Sequence, residues 1–284
     1  MILDCHVHLA GPESDHAALA ANMRAAGVDG AVLISMPPAA FPTFRGPKGH
    51  VERLEHALAY AKAIPNCRAF FWIDPTEDDA AAQVQAALER KIDGFKVICN
   101  HFYPGDPKAV DIYRLIAGAG KPMLFHSGIP WDGTASSKFC RPVEFEAMLD
   151  VPKLRFALAH ISWPWIDECL AVYGKFLSAL KNRPGLSCEM FIDITPGTPP
   201  IYRKEALTKI WTIGYQLEDN VMFGSDSTSA WYAPDWVPPW IARDNAIYDS
   251  LGLTPATRRK IYGDNLLRFL GTGPEVPQGG AGNQ

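Results

Sequence analysis

The stretch MILDCHVHLAG (residues 1–11) begins as a short apolar run and carries two histidines one residue apart, His6 and His8. Alternate side chains of a strand share a face, so the pattern predicts two imidazoles pointing the same way. Two neutral imidazoles on one face can grip one metal ion. Such a pair is common on strands that bind nothing. Its meaning therefore depends on whether the chain repeats the strand and supplies further ligands.

The strand repeats. After the first run come GAVLIS from Gly30, CRAFFWID from Cys67, GFKVICN from Gly94 and KPMLFHSG from Lys121. LRFALAHIS from Leu154, LSCEMFIDI from Leu186 and NVMFGSDS from Asn220 complete a set of eight. Their starts lie about thirty residues apart, the length of one strand plus one helix. Most are apolar on both faces, as parallel strands covered by helices require. The gaps read as helices. SDHAALAANMRAAG offers a Ser14/Asp15 cap and ends at Gly27, while VERLEHALAYAKAI and EDDAAAQVQAALERK are amphipathic. GDPKAVDIYRLIAGAG has Asp106 at the cap and Pro107 at the first helical position, and LTPATRRKIYGDNLLRFLG repeats that start at Thr254 and Pro255. WIDECLAVYGKFLSALKN and YRKEALTKIWTIGYQL fill two further gaps. Eight βα units predict an α/β fold, a closed (β/α)8 TIM barrel over residues 1–270. An open doubly wound sheet would carry a Gly-rich phosphate turn after strand one, and no G-x-G-x-x-G is present. The Gly/Pro/Gln-rich residues 271–284 read as a disordered tail.

Composition narrows the classes. The 284 residues are 48% apolar and 20% charged, which is ordinary globular usage and enough chain for a large core. A net charge of −4, spread along the chain, predicts no nucleic-acid partner. No run approaches the ~18 apolar residues of a membrane span, and no basic, apolar leader precedes Ile2. The six cysteines form no C-x-x-C pair, and several sit in apolar runs where a free Cys acts as a small hydrophobe. A reducing, cytoplasmic setting is expected, with a small-molecule substrate and a homo-oligomer as partners.

Chemistry in such a barrel gathers at the C-terminal ends of the strands. There the chain puts His6 and His8 on strand one, His126 in FHSG, His160 in AHIS and Asp226 in GSDS, with Lys96 inside strand four. Each has a bland reading: a hydrogen-bonded core histidine, an Asp that caps a helix, a Lys that snorkels past the rim. The bland reading would have to hold five or six times at one end of one barrel. Burying that many polar groups is costly unless they share a partner, and a divalent ion is the simplest shared partner. His16, His50, His56 and His101 read as surface groups, with His101 able to reach the mouth.

The ordered set His6-x-His8, FHSG, AHIS and GSDS on eight βα units resembles the amidohydrolase superfamily, and KIYGDNLLRFLG is similar to its closing helix. The mid-chain RPVEFEAMLDVPKLRFALAHIS and the strand that starts at Met1 are most similar to the amidohydrolase-2 branch. The resemblance implies a metal-dependent hydrolase with His6, His8, His126 and Asp226 as ligands. Zn2+ is the expected ion, with Mn2+ the other choice, in one or two copies. Lys96 matches the position of a carboxylated lysine that bridges two ions, and would ligate only in a binuclear site. Asp226 and His160 would be the catalytic pair: Asp226 binds the reactive water, and His160 ligates or hydrogen-bonds that water or the substrate.

An ion with an open position lowers the pKa of its bound water toward ~7. Asp226 can then accept the proton as water attacks a carbonyl, while His160 or the ion stabilises the oxyanion. This is hydrolysis of an amide, ester or lactone of a small cyclic substrate. The same branch also resembles non-oxidative decarboxylases, and the ligand set does not separate the two. A barrel that binds ion and ligand without chemistry is the third reading.

Trp131, Trp163, Trp165, Trp231, Trp236 and Trp240 follow strands five, six and eight, and Phe102 and Tyr103 follow strand four. They either line the mouth for a flat substrate or pack as small cores between loops. Trp131, Trp163, Trp231 and Arg141 are the candidate substrate contacts. Lys138 and Arg45 are further cations for a carboxylate. Prolines in TPGTPP and APDWVPPW predict stiff rim loops. Asp193 and Glu189 are polar residues in an apolar strand, and Asp193 is within reach of the mouth.

Overall fold

The computed structural model describes residues 1–11, 15–39, 41 and 49–273. Strands β1 (Leu3–His8), β2 (Gly30–Ile34), β3 (Arg68–Trp72), β4 (Gly94–Val97), β5 (Met123–Phe125), β6 (Arg155–Leu158) and β7 (Glu189–Asp193) follow in order, each parallel to the next. The eighth run is split into β8 (Val221–Met222), which pairs with β7, and β9 (Ser227–Thr228), which pairs with β1. Both halves belong to one pass of the chain, and Cys5 N donates to Phe223 O between them at 3.0 Å. The sheet therefore meets itself as a barrel, an α/β fold of the (β/α)8 kind.

Helices fill the outside: α1 (His16–Ala25), α2 (His50–Ala63), α3 (Ala80–Glu89), α4 (Pro107–Gly118), α5 (Ile166–Asn182) and α6 (Pro200–Thr212). α7 (Val237–Ser250), α8 (Pro255–Arg259) and α9 (Asn265–Phe269) follow, the last two joined by a π turn. The caps act where the sequence places them. Asp15, Asp106 and Thr254 each accept a backbone N–H from the first turn of α1, α4 and α8. Ser14 lies outside the described residues. One helix departs from expectation. APDWVPPW reads as loop, yet α7 starts at Val237 with Pro238 and Pro239 in its first turn. Proline is tolerated there because those N–H groups have no partner inside the helix.

The core has two layers. One lies between the sheet and the helices. The other fills the barrel with Leu3, Cys5, Val32, Ile34, Phe70, Leu124, Phe191 and Met222, closed at the N-terminal end by Leu266 and Phe269. Phe70 fills this space so tightly that a Cβ on Gly94 would stand 2.4 Å from its ring. A register irregularity between Asp4 and Val7 then redirects β1. Leu3 and Cys5 belong to the inner layer and Val7 to the outer one. Without a bulge, Val7 would continue inward; the bulge turns His6 and His8 inward instead.

Candidate metal centre

His6 is the hub of a buried cluster at the C-terminal end of the barrel. Its Nδ1 lies 2.7 Å from Asp193 Oδ2, and neither side chain has exposed surface. Its Nε2 lies 3.1 Å from His8 Nε2, 3.2 Å from Lys96 Nζ and 3.5 Å from Asp226 Oδ1. His8 Nε2 is 3.6 Å from the same Asp226 oxygen. The His160 ring stands 5.3 Å from His6 and 4.9 Å from His126. Asp193 accepts a hydrogen bond from a neutral His6 at Nδ1, which leaves the Nε2 lone pair for an ion.

The local backbone explains how these groups converge. β6 stops at Leu158, and His160, Ile161 and Ser162 take φ of 62°, 50° and 55°. Left-handed backbone is strained for such residues, above all a β-branched one, and it persists here because the surroundings hold it. Trp163 N–H donates back to His160 O at 3.0 Å, and Ile129 N–H donates to Trp163 O at 3.1 Å. The eighth strand breaks for a related reason. Asp4 Oδ1 accepts the N–H groups of His6 at 3.0 Å and Ser225 at 2.9 Å, while Oδ2 accepts from Tyr232 Oη at 3.1 Å. This draws Ser225 toward β1 and turns Asp226 to φ 54°.

The electrostatics follow from burial. Desolvation holds His6, His8 and His160 well below the usual imidazole range, with Lys96 adding to each. His126 is lowered to about 3 by desolvation and then by Lys96. All four histidines are therefore neutral, the state a metal requires. Burial also lowers Lys96 and raises Asp226, each partly restrained by the opposite charge of the other. Asp193 is raised to about 6 by desolvation, against hydrogen bonds from Thr195 and the charge of Lys96.

These atoms suit a divalent ion. Ligand atoms of His6, His160 and Asp226 lie within 4.8 Å of one another. His8 Nε2 adds a fourth donor, and His126 Nε2 is buried with no hydrogen-bond partner. An orphaned imidazole nitrogen in such a place is costly unless something shares its lone pair. Lys96 does not snorkel to the rim: it is wholly buried, with its ammonium at the centre.

A cavity of about 590 Å³ opens above the cluster, lined by His8, His126, His160 and Asp226 on its floor. A third of the Asp226 side chain is open to it. Trp72 and Phe41, with rings 4.8 Å apart, form one wall, and Trp131 and Trp163 stand on the strand-five and strand-six loops. Trp72 and Phe41 are additions to the sequence reading. Trp72 ends β3 beside Lys96 in the register, a position that could have revealed it. Asp193, Asp4 and Thr195 were likewise not assigned these contacts from sequence.

Several candidates lie elsewhere. Arg141 pairs with Glu168 and stacks over Trp165 at 5.0 Å, away from the described wall. Trp231 is 80% exposed and is also outside that wall. Lys138 sits over Phe139 at 4.8 Å, and Trp236 packs against Trp240. His101 bonds Thr76 and Asn100 rather than reaching the mouth. Glu189 holds Arg268 and Asn220, not the site. His56 is half-buried against Tyr60, not a surface group. Arg45 lies outside the described residues.

Solved structures of similar shape share this fold. A probable 2-pyrone-4,6-dicarboxylic acid hydrolase from Acinetobacter baumannii, with citric acid bound, has a TM-score of 0.61 at 14% identity, covering 95% of this chain and 99% of that one. An amidohydrolase from Burkholderia multivorans with bound zinc has a TM-score of 0.63 at 13% identity, covering 95% and 99%. A 2,6-dihydroxybenzoate decarboxylase from Rhizobium has a TM-score of 0.57 at 17% identity, covering 95% and 98%. A search of curated proteins finds no match. No helix among the described residues is long and apolar enough to cross a membrane. The amidohydrolase family model Amidohydro_2 matches residues 3–272, so the chain belongs to the amidohydrolase family and is an enzyme of that type.

Proposed function

We propose that the protein is a metal-dependent hydrolase that cleaves an amide, ester or lactone bond of a small cyclic substrate. The observation that carries this reading is the convergence of the buried His6 Nε2 with His8 Nε2 and Asp226 Oδ1 of the cavity floor, 3.1–3.6 Å apart. His6, His8, His126 and Asp226 would hold the ion, zinc or manganese. Lys96 joins them only if two ions bind. When bound, such an ion acts as a Lewis acid and makes water nucleophilic at neutral pH.

The chain's own residues supply the rest. Asp226 faces the cavity at the floor, and burial raises its carboxyl, so it can take the proton from the attacking water and return it to the leaving group. His160 stands beside it, within reach of water or substrate. Asp193 keeps His6 in one tautomer. Trp72, Phe41, Trp131 and Trp163 offer flat apolar faces to a ring and exclude bulk water.

The same walls favour a second reading, decarboxylation of an aromatic acid, supported by the likeness to a 2,6-dihydroxybenzoate decarboxylase. The zinc-loaded protein is assayed against aromatic and sugar-acid lactones, cyclic amides and hydroxybenzoates. Hydrolysis that Asp226→Asn abolishes supports the first reading. Release of CO2 from a hydroxybenzoate without hydrolysis selects the second. No turnover of any of them contradicts both.

A further inference from the structure

We propose that Ser35 and Arg53 are positioning residues for the aromatic wall of the cavity: they hold Trp72 where β2 leaves the sheet, and so set its ring between Phe41 and His8. The inference rests on the reading of the cavity as the substrate site.

β2 and β3 run in register as far as Ile34 opposite Phe70. Ser35 N–H then donates to Phe70 O at 2.8 Å, the last regular rung. In a parallel ladder the next donor, the N–H of Trp72, would go to the carbonyl of Ser35. It goes instead to the Ser35 hydroxyl oxygen at 2.9 Å, and that hydroxyl donates its own proton to Met36 O at 3.0 Å. β2 cannot continue, because Pro37 and Pro38 follow Met36 and have no N–H to offer a ladder. β3 does continue: Ile73 N–H still donates to Lys96 O of β4 at 3.0 Å. Trp72 therefore stands on an edge that the β2 backbone no longer covers.

Arg53 closes that edge. It lies on α2 and is 1% exposed, and its Nη1 donates to Trp72 O at 2.8 Å and to Met36 O at 3.1 Å. Its Cζ stands 4.8 Å from the centre of the Phe71 ring. A guanidinium keeps its charge, and burying a charge is costly. An apolar side chain of similar volume would serve packing at lower cost. What it could not do is hold carbonyls from two strands at once. One nitrogen of Arg53 thus ties the end of β3 to the segment that leads into Pro37 and Phe41 of the cavity wall. The consequence is a ring fixed from behind. The Trp72 ring stands 4.8 Å from Phe41 and 5.4 Å from His8, centre to centre. With its N–H and its C=O both held by side chains, Trp72 keeps its place beside a candidate ligand, and the slot for a flat substrate keeps its width.

The test is 19F NMR of the full-length protein labelled with fluorotryptophan. The Trp72 and Trp211 resonances are assigned by their loss in Trp72→Phe and Trp211→Phe. Ser35→Ala and Arg53→Met should each shift or broaden the Trp72 resonance and leave that of Trp211, on α6, where it was. Arg53→Lys keeps a donor near the two carbonyls and should lie closer to the wild type than Arg53→Met. A Trp72 resonance unchanged in Ser35→Ala overturns the proposal even if the Arg53 variants do not fold. So does a Trp211 resonance that moves as much as that of Trp72, which would mark a general loss of structure. The spectra need no substrate, so a failed turnover assay leaves them intact.

Discussion

Beneath the floor of the cavity His6, Lys96 and Asp193 have no exposed surface, and each lies within hydrogen-bond reach of another member of the cluster. At the rim Trp131 and Trp231 are 81% and 80% exposed, and Arg141 and Lys138 have turned to Glu168 and Phe139. The floor belongs to strand ends locked by barrel register. The rim belongs to loops that pair with one another. Buried polar groups must find partners, so their positions are tightly determined. Exposed side chains carry no such requirement, and their loops vary freely.

This contrast orders the expected effects. The largest belongs to the floor: Asp226→Asn should lower kcat about 10³-fold or more, because it removes a proton acceptor and an ion ligand together. Retention of a tenth of the wild-type rate would sink that role. Next, Asp193→Asn should weaken zinc binding ~10–100-fold, since outer partners of a metal-ligating histidine tune its affinity by that much. Competition titration against a zinc-sensitive chelating dye reads it, and wild-type affinity would place Asp193 outside the metal's support. A smaller effect belongs to the wall. Trp72→Ala should raise KM by about tenfold, as the loss of one stacking face costs ~1 kcal/mol beyond the buried area. An unchanged KM would mean that the ring binds elsewhere. The smallest belongs to the rim: Arg141→Ala should leave KM unchanged and barely move the melting temperature, as for an exposed ion pair. A large rise in KM would return Arg141 to the substrate.

The same contrast explains what could be read from residues alone. β1 to β7, the split eighth strand as one run, and the caps at Asp106 and Thr254 follow from apolar periodicity and local rules. His6, His8, His126, His160, Lys96 and Asp226 stood out because polar groups in apolar strands need a reason. The bulge in β1 was hidden, since nothing in LDCHVH marks which residue is extra. Asp193 stood out as a polar residue in an apolar strand, but its role, like the contacts of Thr195, was hidden for another cause: their partners are 187 and 35 residues away. α7 was masked by Pro238 and Pro239, which break a helix interior but not its first turn. The loop cations could not be assigned, because the acids that claim them lie on other elements.

The most direct test is the metal content per chain of protein purified without chelator, measured by elemental mass spectrometry beside His6→Ala. The account predicts zinc or manganese at one or two equivalents in the wild type and its loss in the variant. Wild-type protein that carries no ion and takes none up on soaking would contradict it.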